Sequence, residues 1–542
     1  MLLHCSLELT KPKMICLKHL FFTLIFSLVI SFQGYAQLEN EENLKVGWST
    51  VDITPDIPVL VAGQFHARLS EGVMDPVTAT ILALESGQGE NSEKTIWISC
   101  DLVGISDGMR TTANLRDEIR NRVVNAIPSI LSEQIIVNAT HTHAAPYVAS
   151  TASAEDIYGV SLEQMADGKP AMSPAVYIPF AADRIAQGVI SAWRKRKPGG
   201  VSLGLGHAVV GLNRLQALKH GKSRMYGNTN SPEFSHIEGH EDHSLNLLYF
   251  WDLNKQLTGV IINVASPSQV SEHSYKLSAD FWYDTKVALK KSLGDSVYVL
   301  AQSSAAGDQS PHVMVGSKAE ERMQHLLGFD EDGTGRGSIG QRKQIAKRIA
   351  DEVIDLFPVM KANIYWHPVF NHEMKLVPLS RRLLSPEDVA DAKEEAKTWQ
   401  AEYDKLKAEV RDNPAIIKTP RWYRDITISY SKLRRGLVVS ERYELEKVQP
   451  KMPIELHVVR IGDAVFATNP FELYVDYGTQ MKARSPAIQT FIVQLTGSGS
   501  YLPTERSIEG GAYGAVPAST LIGPEGGNEL VEETLTIINT MW

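Results

Sequence analysis

Short apolar runs alternate along the chain with segments whose apolar positions recur every three or four residues. The runs "VGWSTVDITP", "VTATILALES" and "KTIWISCDLVG" predict strands, the last one buried. "GMRTTANLRDEIRNRVVNAI" follows with helical spacing, then the strand "QIIVNAT", the amphipathic helix "AVYIPFAADRIAQGVISAWRKRK" and the strand "GVSLGLGHAVV". "SLNLLYFWDLNKQLTGVIINVASPS" predicts a hairpin turning at "DLNKQ". A helix around "WYDTKVALKKSLG", the strand "SVYVLAQSSAAGDQSP" and the helix "GQRKQIAKRIADEVIDLF" come next. "PIELHVVRIGDAVFATNPFE" predicts a second hairpin turning at "GD". A helix, the strand "TFIVQLTGSG" and a long glycine-bearing loop are expected to end the chain. This alternation predicts an α/β fold, a mixed β-sheet core flanked by helices.

One stretch breaks the rhythm. "SPEDVADAKEEAKTWQAEYDKLKAE" is highly charged and helical, and is read as a solvated helix or helical hairpin inserted at about 381–450. With no repeat or long linker, a single domain over 37–542 is the simplest organisation. Residues 1–36 read as a signal peptide. Lys11, Lys13 and Lys18 precede the apolar "HLFFTLIFSLVISF", and small residues at Gly34 and Ala36 set a cleavage site. The mature chain is therefore expected to be exported, periplasmic or secreted, with no transmembrane segment. Cys5 and Cys16 would leave with the signal, so Cys100 alone stays, and no internal disulfide can form. A net charge of −9 without a Lys/Arg block argues against nucleic acid as a partner. It leaves a small-molecule substrate open.

Several strands end in loops that carry reactive side chains, where catalytic residues tend to lie. "IIVNATHTH" delivers His141 and His143, which would share one face if the strand continued. "VYVLAQSSAAGDQSP" delivers Asp308 and Ser310, "AVFATNPFE" delivers Glu472, "FIVQLTGSGSY" delivers Tyr501, and "LNRL" offers Arg214. Histidine, glutamate and a polar loop residue suit zinc, which in catalytic sites keeps three protein ligands and an open position. A second histidine would move a proton, and an arginine would hold an oxyanion. Each also has a plain structural reading: a turn serine, a helix-start carboxylate, a packed tyrosine.

Taken in order, "VDITP", "DPVTATILALES", "ISCDLVG", "NATHTHAAP", "LNRL", "KLSADF", "AAGDQSP", "ATNPFE" and "YLPTERSIEGGAYGA" resemble the catalytic domain of the neutral/alkaline non-lysosomal ceramidase family. The resemblance implies an α/β zinc enzyme with a lipid-like substrate, which hydrolyses the amide of ceramide to sphingosine and a fatty acid. It makes His141, Glu472 and Tyr501 zinc ligands, and His143, Arg214, Ser310 and Tyr513 catalytic residues, with Gly63 lining the pocket. The chain departs from the family twice. Where a second histidine ligand is expected, it reads "ASPSQVSEH". Gln269 or His273 is then the substitute, and His273 is the better donor. The family's C-terminal β-sandwich domain is also expected to be missing. Two other functions stay open: a hydrolase of another ester or carbohydrate-derived substrate, and a metal-free binding protein.

Overall fold

The computed structural model describes residues 44–89, 92–108, 113–330 and 333–542. The signal segment lies outside the described residues. The long strands are β1 (Lys45–Asp52), β2 (Thr78–Ser86), β3 (Glu93–Cys100), β4 (Ile135–Ala139), β5 (Lys197–His207), β6 (Ser244–Asp252), β7 (Leu257–Val264), β8 (Tyr298–Ser303), β9 (Phe370–Ser380), β10 (Lys451–Ile461), β11 (Ala464–Thr468) and β12 (Gln489–Val493). Eight of them form one mixed sheet in the order β8-β7-β6-β5-β1-β2-β3-β4. The other four form a second sheet in the order β9-β10-β11-β12. Both predicted hairpins are present, as β6–β7 and β10–β11.

Period-two patterning explains how the sheets stack. In β2, Leu82 and Leu84 point into a core shared with Phe466, Phe491 and Val493 of the second sheet. Ala79, Ile81 and Ala83 point the other way, onto helices α1 (Leu115–Ala126) and α2 (Pro174–Arg194). In β6, Leu248 and Phe250 face the shared core, whereas Leu247, Tyr249 and Trp251 face α3 (Phe281–Leu293) and α4 (Ile339–Ala362). The result is helices, sheet, sheet, helices. Aromatic rings fill the seam: Phe466 stacks on Phe491 at 4.2 Å and meets Trp97 edge-on at 5.2 Å. Each such pair adds roughly 0.5–1.5 kcal/mol to its area burial. Cys100 is fully buried in this body, as a small core residue.

The charged stretch is a helical hairpin, α5 (Pro386–Asp412) and α6 (Arg424–Val448). It interrupts the β9–β10 ladder where Ser380 pairs with Lys451. It is not merely solvated. Tyr403 donates to the Gly159 carbonyl at 2.9 Å, and Thr427 Oγ1 accepts from the Ala67 amide at 3.0 Å. The two helices cross closely at Gly436, where a Cβ would lie 2.6 Å from the Ala392 carbonyl.

The end of the chain departs from expectation. α7 (Val475–Arg484) is followed, after β12, by a last helix, α8 (Pro524–Thr540), in place of loop alone. Pro524 begins it, and the two glycines that read as loop are packing positions. A Cβ at Gly526 would sit 2.5 Å from the Ser380 carbonyl, and one at Gly527 would sit 2.4 Å from the Tyr477 ring.

Candidate active site

Strand β4 stops at Ala139, so His141 and His143 belong to the loop beyond it. Strand alternation is therefore not what aligns them. The chain stays tied to the end of β3 through Thr140 N–H to the Cys100 carbonyl (2.9 Å) and Thr142 N–H to the Leu102 carbonyl (3.2 Å). His141 adopts φ of 65°, a left-handed conformation uncommon outside glycine and typical of strained functional positions. The rings then converge, with the two Nε2 atoms 3.3 Å apart.

Hydrogen-bond accounting assigns both tautomers. His141 Nδ1 lies 2.5 Å from the Val103 carbonyl, which can only accept, so Nδ1 carries the proton and Nε2 faces the site. Arg214 donates from Nη1 to Gln269 Oε1 at 3.2 Å, so the Gln269 amide nitrogen is the end that meets His143 Nε2 at 2.6 Å. His143 accepts there, and its Nδ1 faces the Gly63 backbone. Gly63 has φ of 97°, and a Cβ on it would lie 2.5 Å from the His143 ring. Burial, reinforced by His141, Arg68 and Arg214, pushes the His143 imidazole well below its ordinary range, so it is neutral.

Glu472 and Tyr501 are brought together by a small parallel ladder in which Glu472–Leu473 pairs with Tyr501–Leu502. A Cβ at Gly307 would lie 2.2 Å from the Glu472 carbonyl, so only glycine lets the "AAGD" loop close on this ladder. Glu472 Oε2 stands 3.5 Å from His141 Nε2. Burial opposes its charge, but His141, Arg214 and the Tyr501 hydroxyl hold the carboxyl below the usual range. The Tyr501 phenol is pushed well above its usual value by burial and by Glu472, so it is neutral.

Arg214 lies at the centre, 2 % exposed. Nη1 donates to the Tyr226 hydroxyl (3.3 Å) and Gln269, and Nη2 donates to the Gly307 carbonyl (2.9 Å) and the Tyr501 hydroxyl (3.3 Å). Four of its five N–H donors are thereby used. Nε is buried and without a partner among the described residues.

A second short ladder pairs Ser310 with Leu212 and so carries Ser310 beside Arg214. Ser310 Oγ accepts from the His312 amide (3.1 Å) and lies 3.0 Å from the Tyr226 hydroxyl. That hydroxyl already accepts from Arg214 and therefore donates here. Asp308 is a clamp: its carboxylate accepts from Val475 N–H (3.0 Å) and Asn213 Nδ2 (2.8 Å), and its carbonyl accepts from Arg214 N–H (2.9 Å). Burial pushes its carboxyl up to about 6. Tyr513 meets Tyr501 edge-on at 5.8 Å, and its hydroxyl accepts from Arg435 at 3.3 Å.

The structure thus brings together His141, His143, Arg214, Ser310, Glu472, Tyr501 and Tyr513, with Gly63 behind His143. It does not bring His273 in. That side chain is 78 % exposed and lies 3.7 Å from the Glu272 carboxylate. The cause is Arg68, whose Nη1 donates to the carbonyls of Glu272 (2.8 Å) and Ser274 (2.7 Å) and fixes the turn with His273 outward. Gln269 is the residue that reaches the histidines. Tyr226 was invisible in the sequence, since it lies in a polar stretch after a three-residue strand, Ser223–Met225. The Glu272–His312 pair (3.1 Å) behind Ser310 was equally hidden.

Among the described residues no three His, Cys, Asp or Glu side chains are grouped to hold a metal ion, so a three-residue metal site here would need a donor of another kind, such as Tyr501. The donors do suit zinc in kind: one imidazole, one carboxylate, one phenol. His141 Nε2 and Glu472 Oε2 are both acceptors as the tautomers stand, and two acceptors facing one another at 3.5 Å call for a cation or a proton between them. That spacing is close to the edge of a tetrahedron built with bonds of about 2.0–2.1 Å.

No protein-family model and no curated protein sequence matches the chain. Solved structures do. The neutral ceramidase from Pseudomonas aeruginosa superposes with a TM-score of 0.61 and 14% identity, over 92% of this chain and 75% of its own. A ceramidase complexed with C2 superposes with a TM-score of 0.60 and 14% identity, over 91% and 74%. The chain therefore has the neutral ceramidase fold, on a sequence that has diverged far from those structures.

Proposed function

We propose that the chain is an exported, zinc-dependent hydrolase that cleaves the amide of an N-acyl, ceramide-like substrate. The observation that carries this reading is the convergence of His141, His143, Arg214, Glu472, Tyr501 and Tyr513 from separate segments into one buried cluster on a ceramidase fold. His141, Glu472 and Tyr501 would hold the zinc. When bound, the metal supplies a Lewis acid and lowers the pKa of a water molecule. The Arg214 Nε–H, without a partner among the described residues, would donate to a carbonyl oxygen that becomes negative, and the Tyr513 hydroxyl, held by Arg435, would be a second donor. His143, kept neutral by burial, would accept a proton on Nε2 when that atom is released from the Gln269 amide, and return it to the leaving amine.

Water is favoured over Ser310 as nucleophile. Ser310 Oγ is fully buried and already accepts from Tyr226 and from the His312 amide, and among the described residues no imidazole hydrogen-bonds to it. Its part is to hold Tyr226, and through it Arg214. Export rests on the N-terminal Lys11–Ala36 pattern. No helix among the described residues is long and apolar enough to cross a membrane. The test is zinc content and fatty-acid release from N-acyl substrates for wild type and His141→Ala. About one zinc per chain, lost with activity in the variant, supports the reading. Equal activity of the two proteins overturns it.

A further inference from the structure

The inserted hairpin does more than cover the body. A cavity of about 470 Å³ lies between α5, α6 and the 511–518 segment, with Phe65 and Tyr513 in its wall. That volume is within the usual range for small-molecule sites. Tyr513 also meets Tyr501 at 5.8 Å, and Phe65 follows two residues after Gly63, which backs His143. The cavity is thus separated from the catalytic cluster by one tyrosine ring.

Its walls are mixed: Phe65, Val439, Tyr513, Val516, Pro517 and Ala518 supply apolar and aromatic surface, and charged side chains stand among them. Asp388, Asp391 and Glu395 project from one face of α5, being three and four residues apart. Asp388 is engaged by the Ser385 amide at the helix start (2.8 Å). Asp391 and Glu395 make no hydrogen bond or ion pair among the described residues. On α6, Lys432 lies 4.0 Å over the Trp399 ring and has no carboxylate partner among the described residues, and Arg435 is committed to Tyr513 and Ser519. Acidic and basic groups face the same space without pairing. A ligand with both signs of charge would satisfy both walls, with its carbon skeleton against the apolar side chains between them.

We propose that this cavity is the head-group subsite of the enzyme, and that it selects N-acyl amines whose amine half carries both an ammonium and a carboxylate. Asp391 and Glu395 meet the ammonium, and Lys432 meets the carboxylate. The proposal rests on the amide-hydrolase reading for catalysis, but binding at the cavity does not depend on it.

N-lauroyl-lysine, acylated on its ε-amine, carries its ammonium and carboxylate together at the end remote from the amide, as a cavity one ring beyond the cluster requires, and N-lauroyl-hexylamine lacks both charges. Hydrolysis of the two and equilibrium binding by calorimetry are compared in wild type, Lys432→Met and Asp391→Asn/Glu395→Gln. The exposed acidic positions and the half-buried Lys432 are expected to tolerate these changes. The expected result is that N-lauroyl-lysine is the better substrate. Each variant raises its KM and Kd by about tenfold, as for loss of a charge-assisted hydrogen bond, with kcat within about twofold and the hexylamide unaffected. Equal KM and Kd for N-lauroyl-lysine in all three proteins, or preference for the hexylamide, overturns the proposal. Binding of N-lauroyl-lysine that the variants lose, without turnover in any protein, supports the subsite and refutes the amidase reading. Neither binding nor turnover overturns both.

Discussion

Asp308 offers a prediction whose size follows from its surroundings. Its carboxylate is 1 % exposed and clamps the Arg214 segment to α7 through Asn213 and the Val475 amide. Burial raises its folded-state pKa to about 6, from 3.8. The folded protein therefore binds the proton more tightly than the unfolded chain does. Its contribution to stability is greatest below pH about 4 and is lost as pH rises through about 6, by roughly 3 kcal/mol for a shift of this size. Asp308→Asn removes that dependence but puts an amide N–H₂ against one of two donors, at a cost of about 1–3 kcal/mol. Asn213 cannot rotate to relieve it, since its Oδ1 accepts from the Leu215 amide at 3.0 Å. The variant should thus be less stable than wild type at pH 4 and equal to it or slightly more stable at pH 7. Urea-unfolding midpoints taken every half unit from pH 4 to 7.5 for both proteins measure this, because other titrations cancel in the difference. Parallel curves, or a gap that widens with pH, would refute the assignment of a neutral-favouring burial to Asp308.

Three further outcomes follow from the site geometry. Arg214→Lys keeps the charge but loses the fork that spans Tyr226, Gln269, Gly307 and Tyr501, and should lower kcat by about 10²–10³ in a fatty-acid release assay. Ser310→Ala should retain activity within about tenfold, since the serine only props Tyr226; a loss on the order of 10⁴ or more would identify it as the nucleophile. Gly63→Ala places a Cβ 2.5 Å from the His143 ring at a left-handed φ, and should lower kcat by about 10² while zinc content, which depends on His141, is unchanged.

Much of the fold was legible because β2, β6, β7, β11 and β12 alternate cleanly between two buried faces. β9 was not, since the exposed Glu373 and Lys375 share a face with Val377 and Leu379, and the opposite face carries a polar residue, His372, packed against Thr95 and His457. α8 was missed because Gly526 and Gly527 signal a loop, when their purpose is close approach to Ser380 and Tyr477. The site residues at strand ends could be found from local sequence. What local sequence could not supply was the cross-chain logic. Gln269 reaches His143 because Arg214 orients its amide, and His273 turns outward because Arg68 holds the carbonyls on either side of it. Each depends on an arginine distant in sequence. The hairpin's charge pattern was legible as a solvated helix, but its cavity depends on packing against Tyr513 and Phe65.

The central claim is that this cluster hydrolyses an amide with a zinc ion held by His141, Glu472 and Tyr501. The most direct measurement is fatty-acid release from an N-acyl substrate by the mature protein as purified, after chelation to a metal-free state verified by elemental analysis, and after zinc is restored. The account predicts activity that disappears on chelation and returns with about one equivalent of zinc. Undiminished activity in the metal-free protein would contradict it.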